Sequence, residues 1–92
     1  MSYSVSLTWD EDATAVGFNI YQRQSTSATY TDSTDVGHPT PVGGKLTAQV
    51  TVPTSGLWMF AIAAYDGLGN EGAYSQEVEM NVRPRLLVLV GR

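Results

Sequence analysis

Between Ser4 and Val82 apolar and polar residues repeatedly trade places every second position, and that alternation leaves little room for anything but β-strands. Val5, Leu7 and Trp9 alternate with Ser4, Ser6 and Thr8. Leu46, Ala48, Val50 and Val52 alternate with Thr47, Gln49 and Thr51. Successive side chains on a strand point to opposite faces, so such a run buries one face and wets the other. Gly17 opens a strand in which Phe18, Ile20 and Gln22 share the inner face. Leu57 to Tyr65 places Trp58, Phe60, Ile62 and Ala64 inward, and Gln76 to Val82 places Val78, Met80 and Val82 inward. No stretch keeps apolar residues at helical spacing over ten or more positions without Gly or Pro.

Turn residues punctuate the strands. Asp10-Glu11-Asp12 ends the first in an acidic loop, Pro53-Thr54-Ser55-Gly56 forms a turn, and Asp66-Gly67-Leu68-Gly69-Asn70 is a glycine-rich loop. Residues 25–44 are rich in Ser, Thr, Asp, Gly and Pro and read as loop, with one short strand expected near Ala28–Thr31. About five or six short strands with regular turns argue for an all-β sandwich or small barrel. The 92 residues hold one domain. A core of Trp9, Phe18, Ile20, Val50, Trp58, Phe60, Ile62, Val78 and Met80 follows from the alternation.

Several of these pieces together resemble a fibronectin type III domain, an Ig-like β-sandwich, over residues 4–82. Val5-Ser6-Leu7-Thr8-Trp9-Asp10 resembles its strand B, and residues 17–23, Gly-Phe-Asn-Ile-Tyr-Gln-Arg, its strand C. Residues 46–52 and 56–66 resemble strands E and F, and Gly69 to Ser75 is similar to the FG loop and G-strand entry of bacterial and phage members. The resemblance implies the fold and a general-purpose scaffold. Three departures stand out. Trp58 takes the place of the tyrosine whose hydroxyl ties down the E–F corner, strand A is missing or a stub, and residues 84–92 extend past strand G. The domain is therefore expected over residues 1–83, with an apolar C-terminal strand or tail over 84–92.

Chemistry is sparse. Cysteine is absent, so disulfides and thiolate chemistry are excluded. The single histidine, His38, lies between Gly37 and Pro39 with no nucleophile pattern around it, so no enzyme is expected and no cofactor. Net charge of −4, from nine acidic and five basic residues, disfavours nucleic acid as a partner. No apolar run approaches a membrane span, and no secretory signal opens the chain. The likeness to sandwich domains would bring Asp10, Glu11 and Asp12 near Asp66, Asn70 and Glu71; charged loop tips left in solvent are the expected outcome, and a shared cation the sharper one. Tyr21, Tyr30, Tyr65 and Tyr74 are candidates for stacking on a surface glycan, against ordinary outward packing.

The tail carries the most information. Leu86, Leu87, Val88, Leu89 and Val90 are apolar without a break, so the run has no solvent face and is expected to be covered or to add to a sheet edge. The strand bearing Val5 and Leu7, lacking strand A, offers such an edge. Docking on its own chain and exchange with a neighbour are both open. The expected function is a non-catalytic structural or adhesive module of a phage virion (decoration, fibre or tail), with other protein subunits as partners in a homo-oligomer or larger assembly. The alternative is an extracellular carbohydrate-binding or spacer domain of a bacterial enzyme.

Overall fold

The computed structural model describes residues 2–75 and 77–82. Six strands follow in order: β1 (Tyr3–Asp10), β2 (Gly17–Gln24), β3 (Asp32–Gly37), β4 (Lys45–Val52), β5 (Gly56–Tyr65) and β6 (Val78–Val82). They form two antiparallel sheets. β1 pairs with β4, and the larger sheet runs β3-β2-β5-β6. Among the described residues no strand precedes β1, and none is helical.

The register carries the alternation from strand to strand. Val5 faces Val50, Leu7 faces Ala48 and Trp9 faces Leu46, so one side of the small sheet is continuously apolar. On the larger sheet Ile20 faces Ile62, Gln22 faces Phe60, and Trp58 faces Met80. The two apolar sides meet in one cluster built on Val5, Leu7, Val50 and Val52 from β1 and β4, and Ile20, Trp58, Phe60 and Val82 from the other sheet. Sheet stacked on sheet through alternating inward residues is a β-sandwich. Among the described residues Gln22 is the one polar side chain buried in it. Its Nε2 donates to Thr51 O at 3.3 Å and so ties β2 to β4 across the core, while its Oε1 has no partner.

Trp58 closes the corner before β5. Its Nε1 donates to Thr54 O at 3.1 Å, four residues upstream. An indole can only donate, and a main-chain carbonyl is the acceptor it needs.

Three expectations require correction. The third strand is Asp32–Gly37, not Ala28–Thr31. Its sequence, Asp-Ser-Thr-Asp-Val-Gly, has no apolar alternation, and it is a strand because β2 supplies its hydrogen bonds, with Ile20 opposite Thr34 and Tyr21 opposite Ser33. Val78 is 49% exposed rather than buried. It lies opposite Phe60 on an edge strand, where the facing sheet does not reach over it. Trp9, Ile62 and Met80 are only partly buried and pack against the cluster from its margin.

The larger sheet is also covered on its outer side. Ala61 and Ala63 point away from the core, yet they are 2% and 0% exposed. Each lies opposite a polar side chain of β2, Tyr21 and Asn19 respectively.

Candidate functional site

Both strands that flank the open side of the sandwich lack a second neighbour among the described residues: β1 pairs only with β4, and β6 only with β5. Between them lies a cleft of about 510 Å³. Leu7 and Trp9 of β1 form one wall, Val78 and Met80 of β6 the other, and Phe60 and Ile62 the floor. Among the described residues no strand closes this gap, which lies beside the core at Leu7 and Phe60 and the partly buried Trp9, Ile62 and Met80. Trp9 packs edge-on against Phe18 at 5.5 Å, and its Nε1 is buried without an acceptor. A buried donor left unpaired is costly, and an extended main chain laid along β1 carries carbonyls of the kind it needs. Val5 and Leu7 therefore contribute through the free backbone edge of their strand, since their side chains are already in the core. Leu86, Leu87, Val88, Leu89 and Val90 lie outside the described residues.

A second surface covers the outer face of the larger sheet. Tyr21, Tyr30 and Tyr74 pack against one another with ring centroids 4.9–5.7 Å apart, the Tyr74 contacts being edge-on. Two carboxylates hold them. Tyr21 Oη donates to Glu71 at 2.6 Å, and Asn19 Nδ2 donates to the same carboxylate at 2.6 Å. Tyr30 Oη donates to Glu77 at 2.6 Å, and Arg23 grips Glu77 with Nε and a terminal nitrogen at 2.9 Å each. The hydrogen bond to the Glu71 carboxylate, with some burial, pushes the Tyr21 phenol up to about 12. Burial first, then the bond to Glu77, does the same to Tyr30. Glu71 is held below the usual carboxylate range by Tyr21 and Asn19, and Glu77 by Arg23 and Tyr30. The rings border an open depression of about 650 Å³ over Thr29, Thr31 and Asp32. Tyr65 stands apart, with its hydroxyl donating to Asp35 at 2.8 Å.

The acidic loops use their carboxylates locally. Asp66 Oδ1 accepts from the backbone N–H of Leu68 and of Asn70, which closes the loop on itself and holds the acid below its ordinary value. Asp12 accepts from the backbone and hydroxyl of Thr14. Asp10 pairs with Lys45 across the β1–β4 ladder. Asp12, Asp66, Asn70 and Glu71 do border one shallow depression, whereas Asp10 and Glu11 do not. Among the described residues no three His, Asp or Glu side chains converge to hold a metal ion. His38 lies against Phe18, with Nδ1 3.1 Å from Pro39 O and Nε2 3.4 Å from Asp12 O, so its polar contacts are to main-chain carbonyls. Among the described residues no helix is long and apolar enough to cross a membrane.

Comparison with protein-family models, curated proteins and solved structures finds no match to this chain. The cleft and the tyrosine face are therefore read on their own geometry. The absence of a counterpart to strand A in the resemblance to fibronectin type III domains pointed to the open β1 edge. Alternation did not foresee the tyrosine layer, whose members come from β2, the loop after it and the irregular segment before β6.

Proposed function

We propose that this chain is a non-catalytic structural or adhesive module of the fibronectin type III kind, acting in a phage virion as decoration, fibre or tail component. It makes protein–protein contacts through its sheet edges, loops and C-terminal segment. The observation that carries this reading is the cleft beside β1, lined by Leu7, Phe60 and Met80, where Trp9 Nε1 lacks an acceptor among the described residues. A sheet edge beside an apolar cleft is a surface that another strand completes. Two sheets ordered β1-β4 and β3-β2-β5-β6, and the Trp58–Thr54 tie at the corner, support the family resemblance. The virion setting draws on the likeness of residues 69–75 to phage-borne members. The test is the solution mass by light scattering with and without residues 85–92. A lower mass on truncation supports the proposal, and an unchanged mass refutes it.

A second reading is favoured by the tyrosine face. Tyr21, Tyr30 and Tyr74 beside a polar depression suit a glycan, as in a carbohydrate-binding or spacer domain of a bacterial extracellular enzyme. Retardation in gels containing soluble polysaccharide, lost in Tyr74→Ala, would favour it.

A further inference from the structure

We infer that the occupant of the β1–β6 cleft is the segment Leu86–Val90 of a second copy of this chain, added antiparallel to β1. This rests on the edge-mediated contacts proposed above and names the partner. The cleft is bordered by the second half of β1, including Thr8 and Trp9, and by the first half of β6, Val78 and Met80. The two strands therefore run in opposite senses across the opening, and the chain leaves β6 past Val82 toward the end where β1 begins. A segment that turned back at Pro84 onto its own β1 would lie parallel to it. A parallel pair is the less stable arrangement per residue. The same segment from a second copy can enter from the opposite direction and pair antiparallel.

The chemistry of occupant and cleft agree. The cleft offers apolar walls on both sides, a free strand edge and one buried donor, Trp9 Nε1. Leu86–Val90 offers five consecutive apolar side chains, so whichever face turns inward is apolar, and its carbonyls supply acceptors. Residues 86–90 span roughly 16 Å when extended, enough to line β1 from Trp9 to Val5. The exchange is reciprocal, one segment for each cleft, and closes as a two-fold pair.

The chain contains no cysteine, so introduced thiols report the contact without background. Thr8→Cys marks the β1 edge, with Ser6→Cys as a second position, since both side chains are exposed. Single-cysteine variants of the full chain at each of positions 86–90 mark the segment. Each edge variant is mixed with each segment variant under mild oxidation, after its melting curve shows that it folds. The expected result is a disulfide-linked heterodimer at one or two registers, several-fold above the background of unmatched positions. Two results overturn the inference. An internal disulfide in Thr8→Cys combined with the same segment position, with no linked heterodimer, places the segment on its own β1. No disulfide in either arrangement means that the segment does not occupy the cleft. In both cases the truncation measurement still decides separately whether the segment drives assembly.

Discussion

Replacing Ala63 by leucine separates the structure from the alternation pattern more sharply than any core truncation. By alternation Ala63 faces solvent, where a larger apolar residue on a strand is close to neutral. In the structure it is 0% exposed. It sits opposite Asn19, whose amide is tied to Glu71, and the chain at Gly72 hydrogen-bonds to the neighbouring Ala64 carbonyl at 2.9 Å. Three added carbons have no room there unless the Asn19–Glu71–Tyr21 hydrogen bonds open. Overpacking of this kind costs about 1–3 kcal/mol. For a domain of this size each kcal/mol shifts Tm by about 4–8 °C, so Ala63→Leu is expected to melt at least ~4 °C lower. Gln49→Leu is the control, an outward and exposed position on β4, and should melt within about 2 °C of the parent. Differential scanning calorimetry of both variants decides the matter. An Ala63→Leu protein as stable as the Gln49→Leu control would mean that the outer face is open and the tyrosine layer does not cover it.

Other outcomes follow from the same geometry. Phe60→Ala, at a position 1% exposed, should cost about 3–5 kcal/mol in urea unfolding, while Val78→Ala, at 49%, should cost under about 1 kcal/mol, although alternation puts both inward. Asp12, Asp35, Asp66, Glu71 and Glu77 are all held below their ordinary values of 3.8 and 4.5. As pH falls the unfolded chain therefore takes up protons first, so their stabilisation is complete above about pH 5 and is lost progressively as pH falls from there through the lowered folded-state values, which a Tm-against-pH curve will show. Tyr21 and Tyr30 should titrate only near 12 in a tyrosinate absorbance titration, and Glu71→Gln should bring Tyr21 back toward its ordinary 10.0. Millimolar calcium should leave Tm unchanged, because Asp66 and Glu71 already spend their oxygens on the loop backbone and on Asn19 and Tyr21; a rise of several degrees would contradict this.

What the sequence by itself determined is the part governed by local periodicity. Val5, Leu7, Val50, Trp58 and Phe60 are buried as their alternation requires, because a strand's pleat allows no other assignment once one face must leave water. Five of the six strands follow from that signal alone, whereas the edge of β1 that is unpaired among the described residues was expected only from the missing strand A of the family resemblance. β3 was illegible because its own side chains bury little, and its hydrogen bonds depend on where β2 lies. The tyrosine layer was illegible for a related reason. Tyr21, Tyr30 and Tyr74 are far apart in the chain, and only the pairing of β2 with β5, together with the path of residues 71–77, brings their rings and the Glu71 and Glu77 carboxylates together. Alternation decides which way a side chain points; whether anything lies in that direction depends on contacts between residues distant in sequence, and those exist only once the sheets have formed.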